Sequence, residues 1–195
     1  MTYLQIGANT GYDNFFELCK QNKPSKIILI EPHQQLHESI KACYAEITTA
    51  EISYEAVAIV DDETVATVTM HSSTGRSEHS SVIPLKGWST EAYATVPATT
   101  LNQIIKKYNL TSIDLLYIDT EGNDARIINS IDLTKIKPNN IIYEAWNFTA
   151  DAFEHKNELN GLDGMLFIRK KLEEHGYSVN RVQMGEDDNY IASLI

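Results

Sequence analysis

The start of the chain alternates between short apolar runs and a segment with helical spacing. Residues 3–6 and 26–30 are mainly apolar, which is typical of strands buried on both faces of a parallel sheet. Between them, Phe15, Leu18 and Cys19 repeat at i, i+3 and i+4, which predicts a helix with one buried face. A turn that contains glycine separates the first run from this helix. The pattern therefore predicts a strand, a tight turn, a helix and a second strand.

The same two patterns recur along the rest of the chain. Helical spacing predicts helices over residues 34–46, 101–108, 125–131 and 162–175, and apolar runs predict strands over 51–60, 112–118, 141–143, 177–184 and 190–194. Alternating strands and helices are typical of an α/β protein with a Rossmann-like, mostly parallel sheet. Only an acidic turn separates the last two strands, so we expect them to form an antiparallel hairpin at the sheet edge.

Less regular stretches lie between these elements. Residues 64–70 alternate Val and Thr, which predicts a short extra strand in a hairpin. Residues 71–97, rich in Ser, Thr and Gly, and residues 145–161 show no sustained period and are predicted to be loops. Long irregular loops in compact domains are usually lids or binding segments, although a merely solvated loop is the alternative.

Size, charge and cysteine content exclude several classes of protein. The chain has 195 residues, a formal net charge of −11 and a pI near 4.9. This length fits a single domain over residues 1–195, and the charge argues against nucleic-acid binding, which relies on clusters of Lys and Arg. No apolar run approaches about 18 residues and no signal sequence is apparent, so we expect a cytoplasmic protein with no membrane contact. Cys19 and Cys43 lie on apolar helix faces and are expected to be reduced.

The glycine turn, Gly-Ala-Asn-Thr-Gly at residues 7–11, precedes Glu31 by twenty residues. Glu31 ends the second predicted strand, where nucleotide-binding sheets place the carboxylate that accepts ribose hydroxyls. The glycines are expected to bring backbone N–H groups close to a ligand. A dinucleotide turn has glycine at the positions of Asn9 and Tyr12, so the side chains there favour S-adenosyl-L-methionine (SAM). Two glycines and an acid also occur in strand-helix-strand units that bind no nucleotide, so the turn alone does not decide the ligand.

Other candidate site residues follow later strands. The small apolar side chains of Ala56 and Val57 could flank an adenine ring, with plain strand core as the alternative. Asp119 and Glu121 follow the fourth strand, at the sheet edge where α/β proteins bind ligands, and either could act as a general base. Loop histidines could serve behind them, with His79 as the first candidate and surface or packing roles as the alternative. Further loop residues that could serve the acceptor pocket are His71, Arg76, Trp88, Tyr93 and His155.

A metal site is a further hypothesis for the strand-end acids. Asp119, Glu121 and Glu144 carry the hard oxygen ligands that suit Mg²⁺, which could orient an acceptor. Strand-end acids in such folds more often contact the cofactor. We therefore expect no metal.

The ordered set of motifs resembles the FkbM-type SAM-dependent methyltransferases. The resemblance rests on I-G-A-N-T-G at 6–11, I-E-P at 30–32, A-V-A at 56–58, T-L at 100–101, I-D-L-L-Y-I-D-T-E-G at 113–122 and Y-E at 143–144. These motifs span most of the chain in the family's order. Two departures are Tyr117, where the family often has Lys, and Asn102, where it often has Asp. They bear on the chemistry of the methyl acceptor more than on cofactor binding.

The resemblance implies a seven-stranded class I methyltransferase fold and methyl transfer, usually to a hydroxyl of a sugar, glycan or small metabolite. It implies that Gly7, Asn9 and Gly11 hold the methionine end of SAM, that Glu31 binds the ribose, that Val57 contacts the adenine edge and that Asp119 faces the methyl donor. The complete set of expected cofactor-binding residues is Gly7, Ala8, Asn9, Gly11, Glu31, Pro32, Ala56, Val57 and Asp119.

Three functions stay open on the sequence. The favoured one is an O-methyltransferase whose partner is a small-molecule or glycan acceptor, with a homo-oligomer as an option. The second is a catalytically inactive, methyltransferase-like protein that binds the cofactor as a sensor or scaffold. The third, an NAD-dependent oxidoreductase, is disfavoured by the side chains at Asn9 and Tyr12.

Overall fold

The computed structural model describes residues 1–72, 80–84, 93–145, 159, 161–185 and 187–195. Its strands are β1 (Thr2–Ile6), β2 (Lys26–Ile30), β3 (Glu51–Glu55), β4 (Ala58–Val60), β5 (Thr67–Ser72), β6 (Ser80–Ser81), β7 (Ala94–Thr100), β8 (Leu115–Ile118), β9 (Asn140–Glu144), β10 (Tyr177–Met184) and β11 (Asp187–Leu194). Its helices are α1 (Asn14–Asn22), α2 (His37–Tyr44), α3 (Leu101–Lys107), α4 (Asp124–Ser130) and α5 (Gly161–Glu174), with a 3₁₀ turn at Gln34–Leu36.

The central sheet confirms the predicted fold class. Within the described residues it has seven strands in the order β10-β11-β9-β8-β1-β2-β3. The strands from β3 to β9 in this order are parallel, and β11 pairs antiparallel with both β9 and β10. The last two strands therefore form the expected antiparallel edge hairpin. The chain order reverses at β1, which lies between β2 and β8, and this reversal opens a crevice at the carboxyl ends of the strands.

Helices cover both faces of this sheet, as the continuous apolar strands require. On one face, Leu4 and Ile6 of β1 belong to a core cluster with residues of α3, α4 and α5. On the other, Tyr3 packs in a cluster with residues of α1 and α2. Cys19 and Cys43 lie in that second cluster as buried free thiols. The alternation along β1 thus places Tyr3 in one apolar layer and Leu4 and Ile6 in the other.

A second, smaller sheet corrects part of the sequence prediction. Residues 51–60 were expected to form one strand, but the chain leaves the central sheet after Glu55, and β4 pairs with β7 instead. Residues 94–97, expected to be loop, belong to β7. The small sheet has the described order β4-β7-β5-β6, so the predicted extra strand, β5, pairs with β7 and β6 rather than with the strand before it. These pairings are long-range, which a local pattern does not encode.

In the part of the chain that the structure describes, no helix is both long and apolar enough to cross a membrane.

Candidate active site

The turn between β1 and α1 uses its own N–H groups to close. The N–H groups of Gly7 and Ala8 donate to the Ile30 carbonyl at 2.9 and 3.1 Å, and that of Gly11 donates to the Ala8 carbonyl at 2.8 Å. The N–H of Asn9 donates to Glu31 Oε2 at 2.9 Å. The turn was expected to present its N–H groups to a ligand. This expectation is wrong for Gly7, Ala8, Asn9 and Gly11. Each donor is already paired with the chain itself.

The two glycines are needed for packing. Gly7 and Gly11 have φ of +84° and +88°, which side chains rarely adopt. A Cβ on Gly7 would lie 1.7 Å from the carbonyl oxygen of Asp119, and one on Gly11 would lie 3.2 Å from Cα of Ile40. The missing side chains let the turn rest on the end of β8 and on α2. Ala8 is likewise buried, in the core cluster beside α1.

Glu31 lies at the end of β2 with its carboxylate held by the backbone. Oε2 accepts from the N–H of Asn9, and Oε1 accepts from that of His33 at 2.9 Å. Burial raises the pKa of Glu31 to about 7, against the lowering effect of these two hydrogen bonds. Each carboxylate oxygen retains a second lone pair, so both can still accept a hydroxyl.

An apolar pocket lies beside this turn. Three predicted residues line it, namely Gly7, Pro32 and Val57, whereas Ala8, Asn9, Gly11, Glu31, Ala56 and Asp119 are not among its lining residues. The remaining lining residues are Ile6, Ile30, Ala58, Ile59, Met70, Val82, Thr120 and Asn123. Sequence reasoning missed Met70, which lies in β5, and Val82, which follows β6. The apolar lining suits a flat aromatic ring.

Asp119 and Asp124, which follow β8, lie in different environments. Asp119 is partly buried, and its N–H donates to the Ile6 carbonyl at 2.9 Å, which ties it to β1. Burial first, and then the charges of Asp124 and Glu121, raise the pKa of Asp119 well above its usual value. Asp124 is buried and accepts from the N–H groups of Thr120 and Glu144, each at 3.1 Å. Burial raises its pKa to about 6 in spite of these bonds.

The other residues predicted for the site lie in several different places. Glu121 follows Asp119 in a left-handed conformation with φ of +53°. His71 lies in β5, opposite Ser81 of β6, and Tyr93 packs its ring against His33. The predicted base His79 lies outside the described residues, as do Arg76, Trp88 and His155.

No group of three or more His, Cys, Asp or Glu side chains in the described ranges is arranged to hold a metal ion. The magnesium hypothesis for Asp119, Glu121 and Glu144 therefore finds no support.

A buried pair of polar residues near the turn escaped the sequence analysis. Gln5, in the middle of β1, donates from Nε2 to Asp13 Oδ2 at 2.5 Å. Asp13 also caps α1 by accepting from the N–H of Phe16 at 2.9 Å. Burial raises the pKa of Asp13. A single glutamine in an apolar strand run is the one local sign of such a buried polar pair.

The raised pKa of Glu31 predicts two opposite pH effects. Ribose hydroxyls donate to the ionised carboxylate, so affinity for S-adenosylhomocysteine, the demethylated product of SAM, should fall by up to about tenfold per pH unit below about pH 7. The folded-state pKa lies above the unfolded value, so the Glu31 contribution to the free energy of unfolding is fully present below the unfolded pKa and is lost as pH rises through about 7.

Calorimetric titration and denaturant unfolding across this pH range measure the two effects. Glu31→Gln, which does not titrate, is expected to flatten both curves relative to wild type. Unchanged pH slopes in this variant would show that another group, such as Asp124, controls them.

Comparison with known proteins identifies the family of the chain. Residues 5–179 match the family model described as the Methyltransferase FkbM domain, which confirms the resemblance seen in the motifs. Comparison with curated proteins found no match.

Two solved structures have a fold similar to that of this chain. The O-methyltransferase TomG from Streptomyces achromogenes, involved in tomaymycin synthesis and determined in complex with SAM, has a TM-score of 0.57 at 14% identity, over 99% of this chain and 72% of that one. The Methanococcus jannaschii fibrillarin pre-rRNA processing protein has a TM-score of 0.50 at 11% identity, over 99% of this chain and 66% of that one. Both likenesses support the α/β class I methyltransferase fold. Since the family model matches most of its length, the chain belongs to the FkbM family of SAM-dependent methyltransferases.

Proposed function

We propose that this protein transfers the methyl group of SAM to a hydroxyl oxygen of a sugar, glycan or small metabolite. The observation that carries the proposal is the Asp119 carboxyl, which has a raised pKa and follows the strand whose end packs on Gly7. A hydroxyl is a weak acid, so methylation at oxygen requires a group that takes its proton. A carboxylate with a raised pKa is a stronger base than an ordinary one.

The residues around the turn fit SAM. The apolar pocket beside Pro32, Val57 and Met70 would hold adenine, and Glu31 would accept the ribose hydroxyls. When bound, the cofactor supplies an electrophilic methyl group on a sulfonium. A dinucleotide fits less well, because a pyrophosphate needs free N–H donors and four of those in the turn are already paired.

The protein's own part in the reaction is orientation and proton transfer. Holding the acceptor oxygen in line with the methyl group supplies much of the acceleration in such displacements. Asp119 would accept the hydroxyl proton, with Glu121, two residues further on, as the other candidate base. Apolar side chains such as Ile6 and Val57 exclude water from the adenine side of the crevice.

Incubation with methyl-labelled SAM and a panel of sugars, glycans and hydroxylated metabolites tests the proposal. Labelled product with the methyl group on oxygen, and matching release of S-adenosylhomocysteine, is expected for at least one acceptor class. Cofactor binding without turnover on any acceptor would favour a sensor or scaffold protein. Transfer to nitrogen, carbon or sulfur alone would contradict the assignment of oxygen.

A further inference from the structure

The turn between β8 and α4, residues 119–123, carries the proposed base and is anchored to two other strands. The N–H of Asp119 donates to the Ile6 carbonyl of β1 at 2.9 Å. Asn123 Nδ2 donates to the Ile59 carbonyl of β4, also at 2.9 Å. Ile6, Ile59 and Asn123 all line the apolar pocket. The turn is therefore part of the pocket wall as well as the support of Asp119.

The middle of this turn has an unfavourable backbone. Glu121 and Gly122 have φ of +53° and +110°. A left-handed φ costs conformational energy in a residue other than glycine, so the conformation of Glu121 is strained. Such a backbone keeps its shape only where the surrounding contacts hold it.

Asp124, the first residue of α4, supplies one of these contacts. It is 0% exposed. Its Oδ1 accepts from the N–H of Thr120 at 3.1 Å and from the Thr120 hydroxyl. Its Oδ2 accepts from the N–H of Glu144 at 3.1 Å. A single buried carboxylate thus joins the turn to the end of β9.

The carboxyls of Asp119 and Asp124 differ in how they are bonded. Asp124 accepts three hydrogen bonds, which favour its ionised form, whereas the Asp119 carboxyl accepts none from the residues that the structure describes. Burial raises both pKa values, to about 6 for Asp124 and well above the usual value for Asp119. After burial, the charge of Asp124 is the largest influence on Asp119. We therefore expect Asp124 to lose its proton first, so that Asp119 ionises beside an existing negative charge.

We propose that Asp124 is a positioning residue for methyl transfer: its carboxylate fixes the turn that carries Asp119 and sets a second negative charge beside the proposed base. A carboxylate next to another charge holds a proton more firmly, so it is a stronger base towards a hydroxyl. Because its acceptors are occupied by Thr120 and Glu144, Asp124 acts through Asp119 and not on the methyl acceptor. This role rests on the proposed function and adds no chemical step to it.

Other groups also act on the two carboxyls. The charged or titratable groups within electrostatic reach of one or both are Glu121 on the turn, Asp13 before α1, Asp187 in β11, Tyr117 in β8 and Tyr143 in β9. The three acids in this set raise the pKa of Asp119 further, after burial and Asp124. All five groups stay in place in the variants below, so a changed titration of Asp119 reports the loss of Asp124.

An NMR titration follows the two carboxyls separately. The protein is labelled with a heavy carbon isotope at its aspartate carboxyls and titrated in excess S-adenosylhomocysteine, and Asp119→Asn and Asp124→Asn assign the two signals. In the wild type, the Asp124 signal is expected to change near pH 6, and the Asp119 signal at a higher pH.

Asp124→Asn should lower the midpoint of the Asp119 titration by about one pH unit or more, because the neighbouring charge is gone. On an acceptor that the labelling panel identifies, the rise of kcat with pH should move by the same amount. Asparagine keeps an oxygen for Thr120 but turns its Nδ2 towards the N–H of Glu144, so hydrogen exchange of that amide should become faster. A merely structural role for Asp124 would lower stability without moving the Asp119 midpoint.

Two further variants keep the test independent of how well Asp124→Asn folds. Asp119→Asn should leave the Asp124 midpoint near its wild-type value, since Asp119 is still neutral when Asp124 ionises. Asp132→Asn is the matched control after the other end of α4. It removes the acid paired with Lys135 at 2.8 Å and should alter neither midpoint.

Titration of Asp119 below Asp124 in the wild type would overturn the proposal. An unmoved Asp119 midpoint in Asp124→Asn, or a clearly lowered Asp124 midpoint in Asp119→Asn, would do the same. In each case methyl transfer by the wild type would leave the proposed function standing. Absence of S-adenosylhomocysteine binding, or of transfer to any acceptor, would remove the proposed function and the role of Asp124 with it.

Discussion

Replacing Gly7 with alanine is expected to lower the free energy of unfolding by about 3 kcal/mol or more and to abolish cofactor binding. The added Cβ would lie 1.7 Å from the Asp119 carbonyl oxygen, so β1 and β8 would have to move apart at their carboxyl ends. The left-handed φ of +84° adds conformational strain to this clash. Denaturant unfolding and titration with S-adenosylhomocysteine measure the two effects.

Gly176→Ala is the matched control. Gly176 has a φ of +91°, close to that of Gly7, but the nearest atom to an added Cβ is Leu194 Cδ1 at 3.8 Å. The control therefore carries the backbone strain without the clash, and should lose only about 1 to 2 kcal/mol with cofactor affinity intact. Equal losses in the two variants would show that the contact between Gly7 and Asp119 is not what holds the crevice together.

Replacing Asp119 with asparagine is expected to lower kcat by about 10² to 10⁴, the usual contribution of a general base. Asparagine cannot accept the hydroxyl proton, which explains the lower kcat. Because it matches the size of aspartate, affinity for S-adenosylhomocysteine should change little. Wild-type kcat should rise with pH through the raised pKa of Asp119, because the base must be ionised. Steady-state kinetics across pH on an identified acceptor measure both quantities.

The variant Glu121→Gln separates the two candidate bases. If Asp119 is the base, this variant keeps most of its kcat and the wild-type pH profile. A large loss in Glu121→Gln with normal turnover in Asp119→Asn would transfer the role to Glu121. Normal turnover in both variants would contradict proton transfer to either strand-end acid.

The central sheet was predictable because its elements can be recognised from their own local sequence patterns. Residues 26–30 are almost continuously apolar, as a strand covered on both faces must be, and Phe15 and Cys19 mark the buried face of α1. The edge hairpin was predictable because a short acidic turn joins two strands that pair with each other. In each case the relevant pattern lies within a few neighbouring residues.

The small sheet was not predictable in the same way. β7 contains Pro97, which cannot donate a ladder hydrogen bond and weakens the strand pattern. Its partners, β4 and β5, lie far away in sequence, and nothing local in residues 67–72 specifies a pairing with residues 94–97. The break after Glu55 follows from this pairing, which the apolar pattern of residues 51–60 does not reveal.

The residues of the candidate site likewise fall into those that local patterns predict and those that they do not. Gly7, Pro32 and Val57 follow from the spacing of turns and strand ends, and the structure brings them to one pocket. Met70, in β5, and Val82, just after β6, were missed because the long-range pairing of the small sheet brings them to that pocket. Gln5 was missed because its neighbours in β1 are apolar and a single polar residue does not alter a strand pattern.

We propose that the crevice at the carboxyl ends of β1 and β2 binds the adenosine of SAM. Calorimetric titration of the wild-type protein with S-adenosylhomocysteine, with NAD as the comparison ligand, measures this binding. Saturable binding of one S-adenosylhomocysteine per chain, and none of NAD, is the expected result. No binding of S-adenosylhomocysteine at millimolar concentration, or binding of NAD in its place, would contradict it.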